Sequence, residues 1–356
     1  MSLPPSCAEG FARVYAEEAL RGSPCLEQLR DRLGGLQPRF VAGRRGIPPE
    51  HLEPATLYLC PARGRQLAPC PGSAGHLCCG YWALDLYVGC RLGCSYCILR
   101  SYLNFAPFTV HPDPGPAVQA LSRLAAASPG RQVRVGTGEL GDSLELDPLF
   151  RLSEHLIRAA AQHPNLQLEL KTKTDRVDHL ESVRPKGNAV IGFSLNPQTV
   201  ARALEPGAAS PQQRLAAARR AQAAGFRVAF HFDPVVLQRD SVAETLKLYL
   251  PLAASLAEFG YGRVAWVSLG TFRFPASLRE RLGEGSPVSA RMVPCRDGKF
   301  RYLQRERSRL YRALAVELER ATGAPVYLCM ESAAVWRAAF GRLPREIPAV
   351  RAIFEK

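Results

Sequence analysis

Short apolar runs alternate with Ala- and Leu-rich stretches of helical periodicity from Tyr81 onward, and this alternation limits the possible folds more than any other feature. It is the pattern of repeated βα units around a parallel sheet. Strands are predicted at 83–88, 132–137, 166–172, 189–194, 227–232 and 263–269, and helices at 117–127, 148–162, 175–183, 211–224 and 241–259. Six strands with crossover helices make an incomplete α/β barrel, not a closed eight-stranded one.

The flanks read differently, which predicts three regions: 1–80, 81–275 and 276–356. The first is expected to be an irregular leader with helices at 9–21 and 25–33 and one strand at 56–60, among Pro- and Gly-rich segments. The last is expected to be a small α+β extension, with a turn at Asp297-Gly298, a helix over 304–322, a strand at 325–329 and a helix over 332–340. Met1 to Glu17 shows no basic segment leading into an apolar run, and no stretch approaches the length of a membrane span. These features predict a soluble, cytoplasmic protein with no membrane partner. In that compartment the eleven cysteines are thiols or metal ligands, not a disulfide framework.

Three of them stand out. Cys90, Cys94 and Cys97 form a C-x3-C-x2-C loop directly after the first expected barrel strand. Three thiolates hold three irons of a 4Fe-4S cube and leave the fourth iron open to a ligand. Gly89 and Gly93 suit a loop that wraps a bulky group. Zinc is the competing reading, but structural zinc uses a closed set of four ligands, and no second C-x2-C pair follows at a typical distance. Cys78, Cys79 and His76 remain possible partners, although adjacent cysteines are awkward joint ligands.

The loop Gly89 to Cys97, Arg134-Val-Gly-Thr-Gly-Glu139 with Asp142 and Asp147, Lys171-Thr-Lys173 with Val177-Asp-His179, Phe193-Ser-Leu-Asn196, and Glu205-Pro-Gly207 with Arg214-Leu-Ala-Ala-Ala-Arg219 together resemble the spore photoproduct lyase family of radical S-adenosylmethionine enzymes. The resemblance runs from about Tyr81 to Phe274. It implies a partial (β/α)6 TIM-like barrel in which the open iron binds S-adenosylmethionine and one electron splits the sulfonium, giving methionine and a 5'-deoxyadenosyl radical. In these lyases the radical starts the reversal of a thymine dimer in DNA. A one-electron reductant such as flavodoxin or ferredoxin is implied, with the protein supplying position and dryness.

The resemblance also assigns residues. Lys173 and Ser194 fall at strand ends and match positions that contact the methionyl carboxylate, for which an ammonium and a hydroxyl are suitable donors. Tyr96 matches the aromatic residue that lies against the adenine and is proposed to relay a hydrogen atom. Glu139, with the Gly138 backbone, resembles the Gly-Gly-Glu-type strand end that accepts hydrogen bonds from the methionyl ammonium. Two positions depart from the family pattern: Glu139 replaces a hydrogen-donating cysteine, and Ile98 replaces a second tyrosine.

Cys329 and Cys295 are the thiols outside the leader that could donate in its place, although free cysteines are often just small buried hydrophobes. Cys70, Cys78 and Cys79 are expected either to pack the leader against the barrel or to form a second metal site. His231, Asp233 and Arg273 sit near strand ends, where a site role and a structural one weigh about equally. The formal charge of +14 would attract DNA or another nucleic acid. Only six of the basic residues are Lys, however, so base-composition bias explains the same charge.

Overall fold

The computed structural model describes residues 10–282 and 292–355. Its main sheet has eight strands: β1 Leu67–Pro69, β2 Trp82–Leu84, β3 Val133–Gly136, β4 Leu166–Thr172, β5 Val190–Ser194, β6 Arg227–Val235, β7 Val264–Thr271 and β8 Val326–Leu328. They are hydrogen-bonded in chain order, so the sheet curls progressively into a half-barrel. Strands β2 to β8 run parallel, and only the edge strand β1 is antiparallel to its neighbour. All strand ends that can carry ligand-binding loops therefore open on the same side.

Alternation along β4 sorts its side chains by face. Leu166, Leu168 and Leu170 are fully buried in the hydrophobic core. Gln167, Glu169 and Lys171 take the opposite, inner face. Across that inner face Glu169 bonds His231 of β6, whose other ring nitrogen bonds Ser268 of β7. Gly192 of β5 makes room for the pair, since a Cβ there would stand 2.7 Å from the Glu169 carboxylate and 2.8 Å from His231 Nε2. The guanidinium of Arg134 lies deeper, 4.2 Å from the Trp266 ring centre and within 6 Å of Tyr81 and Tyr327.

Five of the expected barrel strands and the helix over 211–224 lie where the alternation put them, within a few residues. Several other expectations are corrected. Residues 83–88 are two strands: β2 joins the main sheet, whereas Tyr87–Val88 pairs in a second sheet, with the break at Asp85. From residue 10 on, only Glu18–Leu20 of the segment 9–21 is helical, as a single 3-10 turn. Arg13–Glu17 is the inner strand of that second sheet, flanked by Pro38–Val41 and Thr56–Leu59. Val14, Ala16 and Glu17 are at most 1% exposed, so both faces are covered and no helical period survives. Val14 and Tyr15 also favour a strand.

The second sheet includes Phe108–Val110 and Tyr87–Val88, so the leader is a structured layer and not irregular. Hydrogen-bonded strands thus cross the boundary expected at 80, and β8 from the tail closes the edge of the main sheet across the one expected at 275.

The helix predicted over 148–162 is interrupted at Arg151, whose φ of 59° is left-handed, giving Asp147–Phe150 and Leu152–Ala160. The helix predicted over 175–183 shrinks to a single turn at Asp178–Leu180. Side chains draw this segment inward, Arg176 to the Glu145 carbonyl and His179 to Asp147. A short helix at Gln198–Leu204 was not predicted, because only seven residues fit before Pro206. In the tail, Gln304–Thr322, Val326–Leu328 and Ala333–Phe340 follow expectation. No helix among the described residues is long and apolar enough to cross a membrane.

Candidate cofactor site at the barrel mouth

The cysteine loop follows Tyr87–Val88 at the mouth of the half-barrel and is braced on three sides. Gly89 donates to the Leu140 carbonyl at 2.9 Å. The Arg91 amide and guanidinium both bond Glu145 at 3.1 Å. Gly207 donates to the Leu92 carbonyl and Ser95 to the Leu204 carbonyl, each at 2.9 Å. Backbone approaches this close need glycine: a Cβ on Gly141 would sit 2.7 Å from the Gly89 carbonyl oxygen, and one on Gly207 would sit 2.9 Å from Leu92 Cα. Gly89 and Gly93 have φ of 117° and 64°, which other residues rarely adopt.

Cys90, Cys94 and Cys97 are all at least partly buried. Burial pushes all three thiols up, Cys94 to about 12. Thiolates are therefore costly here unless a cation answers them, which is the coupling of metal binding to proton release. Among the described residues, no three Cys, His, Asp or Glu side chains converge as a single ion would require. Three thiols on one loop are the donor set that would serve three irons of a cube and leave the fourth without a protein ligand.

The loop between β3 and Asp147 forms the next wall. Asp142 accepts from the amides of Leu144 and Glu145 at 3.0 Å and from Thr172 Oγ1 and the Lys173 amide at 2.7 Å. One carboxylate thus locks the loop to the end of β4 and fixes where Lys173 begins. The Lys173 ammonium lies 5.9 Å from the Tyr96 ring centre. Burial alone would lower its pKa, but Glu205 and Cys94 outweigh it and the value rises, keeping the group charged. Ser194, 2% exposed, ends β5 on the same rim, and its carbonyl accepts from Arg214 at 2.9 Å.

Tyr96 is 7% exposed and donates its hydroxyl to Glu205. Glu205 also accepts from Asn196 at 2.8 Å and Arg214 at 2.5 Å, while Tyr249 donates to Asn196 at 2.7 Å. Burial and the Glu205 charge hold the phenol neutral. The cations Lys173 and Arg214 hold Glu205 below its usual value despite burial. Glu205, Asn196 and Arg214 stand in the motifs that carry the resemblance, but no role was read for them. The available signal was an acid two residues before a glycine, in Glu205-Pro-Gly207.

The structure brings Cys90, Cys94, Cys97, Tyr96 and Lys173 together, with Ser194 on the same rim. Glu139 is exposed on the loop after β3, with its charge beside Cys70 and Asp85. Gly138 packs against Lys171: a Cβ would sit 3.2 Å from the lysine Cβ. Cys329 lies on the far wall, 3.8 Å from the Arg273 guanidinium, which pairs with Asp233 at 3.1 Å. Cys70 and Cys79 are close enough to influence the Cys329 thiol electrostatically or be influenced by it, and Leu77 bridges Glu331. Cys295 lies apart on a hairpin, its thiol donating to the Val293 carbonyl.

A family profile described as spore photoproduct lyase matches residues 78–288. Spore photoproduct lyase of Geobacillus sp. (strain Y412MC61) is 29% identical over 157 residues, 43% of this chain and 46% of that protein. That of Bacillus subtilis (strain 168) is 22% identical over 178 residues, 50% and 52%. The match therefore spans about half the length of these relatives. Among solved structures, a spore photoproduct lyase mutant with bound AdoMet and dinucleoside spore photoproduct superposes with a TM-score of 0.76 at 21% identity, covering 90% of this chain and 99% of that one. A spore photoproduct lyase complex with the dinucleoside spore photoproduct gives 0.75 at 22%, with the same coverage. At such identities these superpositions establish the fold, a curled partial barrel. The profile covers more than half of the sequence, and the chain belongs to the spore photoproduct lyase family.

Proposed function

We propose that this chain is a cytoplasmic radical S-adenosylmethionine enzyme that repairs thymine-dimer lesions in DNA. One observation carries the reading: three thiols on a rigidly braced loop share the barrel mouth with Lys173 and Ser194, in a chain of this family. Cys90, Cys94 and Cys97 would hold a 4Fe-4S cluster, and the cluster with S-adenosylmethionine would supply a 5'-deoxyadenosyl radical.

The protein's own residues do the positioning. Lys173 and Ser194 donate to the methionyl carboxylate, Glu139 and the Gly138 backbone accept from its ammonium, and Tyr96 presents its ring to the adenine. Because Glu205 holds its hydroxyl, Tyr96 is a rigid face first and a hydrogen relay only if that bond opens. The lesion would be turned out of the duplex into the mouth, as chemistry on a base requires. A small one-electron donor of the flavodoxin or ferredoxin type would reduce the cluster.

Anaerobic reconstitution with iron and sulfide, then dithionite and S-adenosylmethionine, should yield 5'-deoxyadenosine. A loaded protein that forms none is not a radical enzyme. Irradiated DNA deuterated at the lesion should pass its label to 5'-deoxyadenosine as thymine is restored. Glu139 favours a second reading, the same chemistry on another nucleic-acid base, nucleotide or peptide. Label transfer from such a molecule, with lesion DNA left unchanged, would select it.

A further inference from the structure

Charges on the inner face of the barrel are answered almost one by one, as burial demands. Glu169 bonds His231 at 2.6 Å and feels the charge of Arg134. Asp233 pairs with Arg273, and Glu205 with Arg214. Lys173 lies within the field of Glu205.

Lys171 breaks the pattern. It follows Glu169 by two residues on β4 and so shares the inner face. Its backbone is fixed in both directions by Ser143, with its amide donating to Ser143 Oγ at 3.0 Å and its carbonyl accepting from the Ser143 amide at 3.1 Å. No ion pair joins Lys171 to an acid among the described residues. Its charge is felt by Glu169, His231, Asp233, Cys70 and Cys329, groups from four sides of the mouth. Gly138 packs closely on the stem of this lysine, since a Cβ there would stand 3.2 Å from Lys171 Cβ. Lys173 lies by Tyr96 and Cys94 on the loop side, whereas the field of Lys171 reaches Asp233 and Cys329 on the far wall.

We propose that Lys171 binds a phosphodiester of the substrate, an assignment that rests on the nucleic-acid reading above. A neutral base carbonyl would leave the ammonium without an ion pair of its own in a partly dry site, whereas a phosphate supplies one. A compact ammonium is suited to that group as a point charge. The phosphate between two linked nucleosides would then sit over β4, holding one base toward the cofactor and the other toward Asp233 and Arg273.

The reconstituted holoenzyme can be titrated with thymidylyl-(3'→5')-thymidine and with thymidine. Lys171→Met should raise the Kd of the dinucleotide about tenfold or more, the scale of one charge-assisted contact, and leave that of thymidine within about twofold. Lys171→Arg should restore most of the difference. For a short single-stranded oligonucleotide, the slope of log affinity against log salt should fall by about 0.7 in Lys171→Met, the loss of one neutralised phosphate. An unchanged thermal midpoint separates this effect from misfolding. Equal weakening of both ligands, no weakening of either, or a wild-type protein that binds the dinucleotide no better than thymidine overturns the assignment. A protein that passes these tests yet leaves irradiated DNA unrepaired overturns only the repair reading.

Discussion

The cysteine-loop side of the mouth and the far wall use their acidic residues in opposite ways. On the loop side, Asp142, Glu145 and Asp147 hold backbone and neighbouring side chains in place: Asp142 accepts four bonds, Glu145 clamps Arg91, and Asp147 receives Tyr87 at 2.9 Å, the Ser153 amide at 2.9 Å and His179 at 2.6 Å. Across the interior, Glu169 and Asp233 instead face side-chain partners on other strands, His231 and Arg273. One side holds the backbone of the cysteine loop still, and the other pairs charges across the interior. The hydrogen bond from His231 and the charges of Arg134 and Lys171 hold Glu169 below its usual value despite burial, while burial lowers His231 toward its neutral form. The pair is best written as a carboxylate accepting from a neutral imidazole.

The sharpest way to break this contrast is Cys94→Ala. Iron bound after reconstitution should drop, and 5'-deoxyadenosine formation should fall by roughly two orders of magnitude or more, because the cube loses one of three protein ligands. Retained activity would mean that the loop does not hold the cluster.

Glu205→Ala should come next. It strands a fully buried Arg214, a loss of about 3–5 kcal/mol for a broken buried pair, read as a lower urea midpoint. The pH dependence has a definite sign. Glu205 is depressed in the folded state, so its stabilisation is present above the unfolded carboxylate value of about 4.3 and is lost as pH falls through the lower folded value. Acid unfolding of Glu205→Gln should therefore be less steep than that of the wild type over that range.

Gly192→Ala probes the interior pair. A methyl 2.7 Å from the Glu169 carboxylate and 2.8 Å from His231 forces one of them to move, at about 1–3 kcal/mol, and should lower the thermal midpoint while leaving iron content intact. An unchanged midpoint would show that the pair is loosely held. The smallest effect is expected for Cys329→Ser. Iron content and 5'-deoxyadenosine yield without substrate should not change, and stability should stay within about 1 kcal/mol, since Asp233 and Arg273 keep each other. A loss of iron in this variant would erase the distinction between the two walls.

The parallel half-barrel was legible because short apolar runs alternate with Ala- and Leu-rich helical stretches from Tyr81 onward. The cysteine loop stood out because its spacing is local: Cys90, Cys94 and Cys97 lie within eight consecutive residues. The strand at Arg13–Glu17 was not, because its five residues read as helix until Pro38–Val41 and Thr56–Leu59 cover both edges. Nor was β8 recognisable as part of the main sheet, since Val326–Leu328 lies more than fifty residues beyond its partner β7 in the chain.

By itself, the sequence determined that three cysteines stand at close spacing after the first barrel strand, and where strands alternate with helices. These are properties of residue type and short spacing. Only the tertiary structure decided that Glu205 holds the Tyr96 hydroxyl, that Asp142 ties the β3 loop to Lys173, and that Lys171 makes no ion pair among the described residues. Each of these depends on which strands become neighbours, and hydrogen bonds and charge pairing act over a few ångströms of space regardless of distance along the chain.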